Sequence, residues 1–453
     1  MRERFDRPIL IVGGGLAGMA AAFALADCGR PVILLERRPF LGGRVFSFRD
    51  SDSGAIVDNG QHVLVGACTR LRAFLERIGS GGAFRRQTRL RLPILDGSGR
   101  RADLAAAPLP APLHLLAALA RYRHLDLSAR RAVAAAARQL ARDRAGLDDD
   151  VPLADWLTAH GTPTVAMERF WEPLVRPALN ASVSAANLPL AAFLIERGLW
   201  GAPSAGALWL PATGLSAAIG EPALRGLRSS GVDVRLGTRA AALEADGGRV
   251  TGVLLADGSR IAAERVVSAL PPEALDRLMA GAGLRSDYAA IGHSAIVNVY
   301  LWYDRPVISV PFAGTFDSPL QWIFDRSLLI GREAGAFCVG VSLSAADELA
   351  AWPKERLAGL CDEALARISA DRRPARLLRY AVVKEPRATF RAGPGVASRR
   401  PDPVTDLQDL LLAGDWTATG WPATMEGAVR SGERAAWAAL VKPRSAAHRV
   451  FVP

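Results

Sequence analysis

Cysteine and lysine are both scarce in this chain of 453 residues, which contains four cysteines and only three lysines. The cysteines lie far apart and form no CxxC pair, which argues against a disulfide framework and against a structural zinc site. These cysteines are Cys28, Cys68, Cys338 and Cys361. We therefore expect no bound metal and a reducing compartment.

Long apolar runs are also missing. No segment offers about twenty uninterrupted apolar residues, and the uncharged residues 198–220 include several Gly and Pro, so no membrane-spanning helix is predicted. Residues 9–12 run directly into a glycine cluster, as a buried strand would, and do not resemble a signal peptide. We expect a soluble or peripheral protein.

Positive charge is abundant, and the formal net charge of +11 is carried almost wholly by arginine. Nothing in the sequence is typical of a zinc finger, a coiled coil or another DNA-reading module, so we expect no nucleic-acid partner. The length and the 50% hydrophobic content are enough for two or three domain-sized units with a large core.

The N-terminal residues predict a strand at 8–12, a glycine turn, a helix at 19–26 and a second strand at 31–35. In this context the GxGxxG spacing of the turn is typical of a dinucleotide site. The glycines allow a tight turn, close approach of a pyrophosphate and packing of the helix on the sheet. Glu36, which ends the second predicted strand, is expected to accept hydrogen bonds from a ribose. The residues expected to bind are Gly13, Gly15, Leu16, Ala17, Gly18 and Glu36.

A second glycine pair at residues 42–43 continues into an arginine and is not part of an ordinary NAD fingerprint. It resembles a motif of the FAD-binding flavoproteins with two dinucleotide-binding domains, which include amine oxidases and carotenoid-type desaturases. The resemblance implies non-covalent FAD bound partly by Arg37, Gly43 and Arg44. It also implies an α/β fold (α+β overall) with a Rossmann-like FAD-binding domain and an inserted substrate domain of mixed sheet and helices.

The C-terminal region supplies a third part of the expected site. Residues 410–413 predict a buried strand, Gly414 and Asp415 follow at its carboxyl end, and residues 424–441 predict a helix after a loop. In such an arrangement the aspartate accepts from the ribitol hydroxyls. The amides that open the helix face the flavin pyrimidine edge, which gains negative charge on reduction. Those amides belong to Ala423, Thr424 and Met425.

Changes of pattern divide the chain into five parts. Ser128 is predicted to cap an Ala- and Arg-rich helix running to about Arg142, and residues 231–272 change to a β pattern. The resemblance to the flavoproteins implies that these strands form a three-stranded meander that leads back into the main sheet. The predicted parts are the first part of the FAD-binding domain (1–90), a mainly helical insertion facing substrate and membrane (91–205), the second part of the FAD-binding domain (206–290), the sheet and helix of the substrate domain (291–385), and the C-terminal part of the FAD-binding domain (386–453).

Two segments are more specific: residues 57–64, VDNGQHVL, and residues 413–431, AGDWTATGWPATMEGAVRS. Both resemble the squalene-associated FAD-dependent desaturases, which are the hydroxysqualene dehydroxylases of bacterial hopanoid synthesis. The resemblance implies that hydride from reduced flavin N5 replaces the allylic hydroxyl of hydroxysqualene and gives squalene. It also implies FAD contacts from Gly60, Gln61 and His62, and a backbone contact between adenine and Ala240, where the superfamily often has a bulkier residue.

Loss of the hydroxyl as water requires a general acid close to the flavin. His62 and Asp58 are the candidates, because their motif is expected beside the cofactor. The structural alternatives are a histidine hydrogen-bonded to flavin or backbone and, for Asp58, a turn-capping carboxylate. Glu426 also lies in a helix expected to face the flavin, but its role there can be structural, as a cap of the first turn of that helix.

Residues 85–131 contain ten arginines and three aspartates, and these bracket a proline-broken apolar segment at 104–120. Transfer of a C30 hydrocarbon into water costs on the order of 20 kcal/mol, so its enzyme must collect it at the bilayer. We expect residues 104–120 to dip into an anionic membrane and to form the substrate entrance. The protein would then be cytoplasmic, and peripheral on the inner face of the bacterial membrane. The alternative is a solvated basic face over an ordinary core.

Two other functions stay open from the residues alone. One is a desaturase or isomerase of carotenoid precursors on the same fold; the other is a non-catalytic isoprenoid carrier, which would have lost the flavin motifs that this chain keeps. No second GxGxxG with a following acidic residue marks an NAD(P)H site, so the sequence assigns no electron donor. Other squalene-pathway enzymes are expected as partners only through the resemblance.

Overall fold

A computed structural model describes residues 7–333, 335–369 and 374–441, and the elements below lie in these ranges. Residues 1–6 and 442–453, the ends of the first and last predicted parts, lie outside the described residues. The strands are β1 Ile9–Val12, β2 Val32–Leu35, β3 Ser47–Arg49, β4 Ile56–Asp58, β5 Leu64–Val65, β6 Phe84–Arg86, β7 Arg91–Leu95, β8 Arg101–Ala105, β9 Leu208–Pro211, β10 Asp233–Arg235, β11 Ala240–Asp246, β12 Arg249–Leu255, β13 Arg260–Ala262, β14 Arg265–Ser268, β15 His293–Tyr303, β16 Phe312–Thr315, β17 Trp322–Asp325, β18 Phe337–Ser344, β19 Leu377–Phe390 and β20 Leu410–Leu412. The helices are α1 Leu16–Asp27, α2 Thr69–Arg77, α3 Leu113–Arg121, α4 Leu127–Asp143, α5 Leu153–Ala159, α6 Thr164–Ala166, α7 Glu172–Leu179, α8 Leu188–Leu194, α9 Glu221–Ser229, α10 Pro272–Ala280, α11 Arg326–Leu329, α12 Lys354–Ile368, α13 Val396–Arg399 and α14 Met425–Leu440.

A five-stranded parallel sheet forms the centre of the molecule, with the strand order β10-β2-β1-β14-β20. Every residue of β1 is buried, as expected for a parallel strand covered on both faces. Helices α1 and α14 pack against each other beside this sheet. The carboxyl ends of β1, β14 and β20 lie at one edge, and in such sheets that edge binds ligands. The predicted Rossmann-like α/β arrangement is confirmed.

The predicted three-stranded meander is also present, as the antiparallel sheet β11-β12-β13. It leads back into the central sheet through β14, as the resemblance implies. Residues 233–235 do not belong to it, because they pair in parallel with β2 and form the edge strand β10 of the central sheet.

A seven-stranded sheet forms the second layer, in the order β19-β15-β18-β17-β16-β7-β8. Helix α12 packs on one face, over a core that includes Val297, Val299 and Leu301 of β15. The opposite face, which carries Asn298, Tyr300 and Trp302, is turned toward the FAD-binding domain. Strands β7 and β8 come from the part predicted to be mainly helical, so that part opens with a hairpin of this sheet.

Helices α3 to α8 form a helical lobe against the hairpin of β7 and β8. Helix α4 begins at Leu127, one residue before the predicted cap, and Asp126 caps it through a carboxylate that accepts from the Ala129 amide at 2.8 Å. The cap expected at Ser128 is therefore wrong, because an equally good acceptor lies two residues earlier. Among the described residues, no helix is both long and apolar enough to cross a bilayer.

Candidate active site

The first glycine turn connects β1 to α1 through two contacts that a side chain would block. Gly13 has a φ of +112°, and a Cβ there would lie 2.7 Å from the carbonyl oxygen of Ala269. A Cβ on Gly18 would lie 1.9 Å from the carbonyl oxygen of Gly13. The turn therefore needs glycine to bring the start of α1 close to the ends of β1 and β14.

The second glycine pair lies directly against the first turn. The Gly42 amide donates to the Gly14 carbonyl at 2.9 Å, and a Cβ on Gly43 would lie 3.0 Å from the Cα of Gly15. Gly15 is the N-cap residue of α1 and provides no side-chain cap, while Leu16 and Ala17 of the first turn are buried. Two glycine backbones and an uncapped helix N-terminus form a cradle suited to a pyrophosphate.

Glu36 ends β2 and braces the glycine turn. Its carboxylate accepts from the Gly14 amide at 2.8 Å and from the Arg38 amide at 2.9 Å. Its carbonyl accepts from the Thr238 amide at 2.9 Å, so the chain entering β11 at Ala240 runs beside it. Glu36, expected to bind the ribose, and Ala240, expected to contact the adenine, therefore belong to neighbouring segments.

Arg38, which the sequence analysis missed, contacts the second glycine pair. Its guanidinium donates to the Gly43 carbonyl at 2.9 Å and lies 4.8 Å from the centre of the Phe46 ring. The side chain of Arg37, which was expected at the cofactor, is exposed. The two arginines are adjacent in sequence, but their side chains point in different directions. Only that of Arg38 contacts the glycine pair.

Arg44 and Asp415 connect the N-terminal and C-terminal parts of the site. The guanidinium of Arg44 donates to Asp415 at 2.6 Å and to the carbonyl of Ala388 at 2.7 Å. Asp415 is buried, whereas the Arg44 side chain is 38% exposed. Burial works to lower the pKa of Arg44, but the charge and hydrogen bond of Asp415 outweigh it and hold that pKa above its ordinary value.

The segment after β20 is fixed by buried hydrogen bonds. The Gly414 amide donates to the Ser431 hydroxyl at 2.9 Å, and Arg400 donates to the carbonyl oxygens of Asp415 and Thr417 at 3.0 and 2.5 Å. Arg400 is a further residue that the sequence analysis missed.

The C-terminal helix starts at the predicted place. Thr424 is the N-cap of α14, and its hydroxyl accepts from the Gly427 amide at 3.1 Å. Ala423 and Met425 flank it, partly buried. This helix N-terminus lies just beyond β20, so its amides are available at the same sheet edge as those of α1.

Glu426 caps a different helix from the one expected. It is fully buried, and its carboxylate accepts from the amides of Arg70 and Leu71 in the first turn of α2, at 3.2 and 2.7 Å. Arg430, one turn later in α14, donates to it at 2.6 Å. Glu426 therefore joins α14 to α2, and the predicted capping of its own helix is wrong.

Asp58 lies at the end of β4 and is 1% exposed. Its Oδ1 accepts from the Ser47 hydroxyl at 2.7 Å and from the Leu215 amide at 2.9 Å, and its Oδ2 accepts from Arg326 at 2.9 Å. A carboxylate engaged by a buried guanidinium and two further donors is an anchor and is poorly placed to give up a proton. The structure thus favours the structural alternative for Asp58.

Arg326 extends this contact into a network between the two layers. Its guanidinium also donates to Gln61 Oε1 at 3.2 Å and lies 5.0 Å from the centre of the Tyr300 ring. The Tyr300 hydroxyl donates to the Asp58 carbonyl at 3.0 Å, and the backbone amide of Gln61 donates to Asn298 Oδ1 at 3.3 Å. We call these five residues the Asp58 network.

His62 lies next to this network. Its Nδ1 is 2.8 Å from the Gly60 carbonyl oxygen, so Nδ1 carries the hydrogen of that bond and Nε2 is left for another partner. Burial, together with the charge of Arg44, lowers the pKa of His62 below its ordinary value, although the Gly60 bond and Asp58 oppose this. The imidazole is therefore mostly neutral at pH 7.

The arrangement fits FAD. Two glycine backbones pack without side chains at the N-terminus of α1, and an acidic residue follows the next strand. A partly exposed arginine pairs with the aspartate that follows β20, and the N-terminus of a second helix comes after them in the chain. The residues that would hold the group are those of the cradle with Glu36, Arg38, Arg44 and Asp415. The individual contacts expected from the sequence stay predictions.

Replacement of Asp58 should lower the free energy of unfolding. Asp58→Ala leaves the buried guanidinium of Arg326 without its partner, which we expect to cost about 3–5 kcal/mol of unfolding free energy, measured by urea denaturation. The control Asp27→Ala breaks the exposed pair with Arg77 and should leave the midpoint almost unchanged. An Asp58→Ala protein as stable as the control would contradict the anchoring role.

Comparisons with known proteins agree with this geometry. The sequence model of the family described as flavin containing amine oxidoreductase matches residues 16–440. The hydroxysqualene dehydroxylase of Sinorhizobium fredii is 30% identical over 95% of this chain and 97% of its own length. The 15-cis-phytoene desaturase of Solanum lycopersicum is 28% identical over 95% of this chain and 77% of its own length.

Among solved structures, a double mutant of putrescine oxidase superposes with a TM-score of 0.72 at 17% identity, covering 96% of this chain and 99% of that chain. At this identity the likeness concerns the fold alone. The chain is thus an FAD-dependent oxidoreductase that belongs to the flavin-containing amine oxidoreductase family, in the branch that includes the hydroxysqualene dehydroxylases.

Proposed function

We propose that this chain converts hydroxysqualene to squalene in the isoprenoid pathway that leads to hopanoids. The observation that carries the proposal is the match to a hydroxysqualene dehydroxylase over nearly the whole of both chains. The plant desaturase is matched over a smaller share of its own length, which favours the oxidative alternative less.

The reaction is a two-electron reduction of the substrate. The allylic C–O bond breaks, the oxygen leaves as water after protonation, and a C–H bond forms at the same carbon. Reduced FAD supplies the hydride when it is bound. The chain must therefore hold the alcohol, deliver one proton to its oxygen and exclude bulk water from the allylic cation.

His62 is the proposed proton donor. Asp58 is occupied by three donors, whereas the imidazole of His62 has its Nδ1 fixed by Gly60 and its Nε2 available. Protonated at both nitrogens, His62 could pass a proton from Nε2 to the hydroxyl oxygen.

An anaerobic single turnover tests the function. The purified flavoprotein is photoreduced, hydroxysqualene is added in detergent, and flavin absorbance and extracted products are followed together. We expect flavin reoxidation with stoichiometric squalene. A flavin that stays reduced with the alcohol untouched would contradict the proposal and favour oxidative desaturation of an intact isoprenoid.

The pH dependence of that turnover tests His62. The acid form predominates only below the pKa of His62, which lies below the ordinary value of 6.5. The rate should therefore fall as the pH rises through that lowered pKa. In His62→Gln the turnover should be slower and this inflection should disappear. An unchanged profile in His62→Gln would leave the histidine with a structural role only.

The helical lobe supports the proposed membrane contact. Leu109, Leu113 and Leu116, at the start of α3 and just before it, are 42%, 51% and 40% exposed. Beneath them lies an apolar pocket lined by Leu104, Pro112, Leu115, Leu116, Leu119, Val133, Ala134, Ala137 and Phe170.

Two groups can be distinguished among the arginines around this segment. Arg121 at the end of α3, Arg123 just after it and Arg131 in α4 are exposed and could meet anionic headgroups. Arg91, Arg100 and Arg101 instead pair with aspartates of the hairpin. The first group and the exposed leucines make up the surface that we propose to touch the cytoplasmic leaflet.

Serine at the exposed leucines should weaken membrane binding. The triple variant Leu109→Ser, Leu113→Ser and Leu116→Ser should sediment less with phosphatidylglycerol vesicles than the parent protein, because about 1.5–3 kcal/mol is lost for each leucine that the bilayer buries. The control replaces exposed leucines elsewhere, Leu328→Ser and Leu378→Ser. Equal sedimentation of both variants would contradict the proposed surface.

A further inference from the structure

Asn298 carries a buried donor that has no partner among the described residues. The residue lies in the middle of β15 and is 1% exposed. The Oδ1 of Asn298 accepts from the backbone amide of Gln61 at 3.3 Å, and this bond fixes the orientation of the Asn298 side chain. Its Nδ2 makes no hydrogen bond. An unpaired buried amide donor costs about 1–3 kcal/mol, so a bound ligand is the natural source of its acceptor.

The side chain lies on the face of the sheet that is turned toward the FAD-binding domain, against Gly60 and Gln61. Nδ2 would lie 3.0 Å from a Cβ built on Gly60, so glycine there leaves the amide room. Ser342 pairs with Asn298 across β15 and β18 and shares its face. Ser342 and the neighbouring Ile296 of that face are only partly buried, so protein does not cover the face completely beside Asn298.

The surroundings on that face are apolar and aromatic. Trp322 pairs with Ser342, and its ring stacks beside those of Phe312 and Phe324. The Trp322 nitrogen is already used by the carbonyl of Pro173, at 3.0 Å. Phe312, Trp322 and Phe324 are themselves buried, at 4%, 9% and 2% exposed, so these rings surround the amide with apolar groups and give it no acceptor.

Gly60 links this donor to the proposed proton donor. Its carbonyl binds Nδ1 of His62, and its Cα lies against the Asn298 amide. A hydroxyl that accepts from Nδ2 would therefore be held close to the His62 segment.

We propose that Asn298 binds the substrate through its hydroxyl oxygen and makes the site selective for an oxygenated isoprenoid over the plain hydrocarbon. This inference rests on the proposed function. Sites that hydrogen-bond a substrate hydroxyl discriminate strongly against analogues without it, because the buried donor is then left unpaired. The same preference would help the hydrocarbon product to leave.

The test is equilibrium binding to the oxidised holoenzyme, which needs no turnover. Hydroxysqualene, the ketone at the same carbon and squalene are titrated in detergent, and the perturbation of flavin absorbance gives each Kd. The parent protein should bind the alcohol and the ketone with similar affinity, since both offer an acceptor, and squalene on the order of tenfold or more weakly. In Asn298→Leu this preference should vanish, while the flavin spectrum and midpoint potential stay unchanged.

Asn180→Asp is the matched control. Asn180 is also buried, but its side chain is satisfied by Ser294, Thr389 and the Ala345 amide. Its variant should be less stable and keep the preference for the alcohol.

Three results would overturn the inference: equal affinities of the parent protein for alcohol and squalene, an unchanged preference in Asn298→Leu, or a shifted flavin potential with the preference intact. The ligand series on the parent protein remains decisive if Asn298→Leu does not fold. A failure of the proposed function can be distinguished from these results by the single turnover, in which the photoreduced parent protein would give no squalene from hydroxysqualene.

Discussion

The buried contact between Arg326 and Asp58 is the interaction on which the site depends. It joins the second layer to the FAD-binding domain at a point where both partners are almost fully withdrawn from water. Burying two charges is costly, and the cost is offset here by hydrogen bonds from Ser47 and Leu215 and by the ring of Tyr300. The same network fixes Gln61, and through it Asn298. The position of the cleft wall relative to the glycine cradle is therefore set by polar contacts with defined geometry.

The central sheet and its cofactor segments could be predicted from sequence because their signals are local. Apolar runs such as residues 9–12 mark parallel strands, and the glycines lie where contacts of 1.9 to 2.7 Å leave no room for a Cβ. The start of α14 at Met425 was predicted within a residue for the same reason, since Thr424 is a good N-cap.

The second layer was harder to predict because its strands come from distant parts of the chain. Strand β7, which ends at Leu95, pairs with strand β16, which begins at Phe312, and no local pattern indicates this partner. Arg326, Arg400 and Asn298 were missed for a related reason. A polar residue that belongs to no local motif acquires its role only from the residues that the fold places against it. Asp58 was recognised through its motif, but its three donors lie on three separate segments, and the sequence could not show that they occupy it.

The central sheet also sets the order of events during synthesis. Strand β14 lies between β1 and β20, and Asp415 and α14 follow β20 near the end of the described chain. A nascent polypeptide that has emerged only as far as α13 has the glycine cradle but lacks the opposite wall of the flavin site. Closing loops of roughly four hundred residues is slow compared with forming local helices. A complete flavin site therefore requires that β20 and α14 have docked on the central sheet, and we expect the flavin content of a preparation to report the fraction of molecules in which they have.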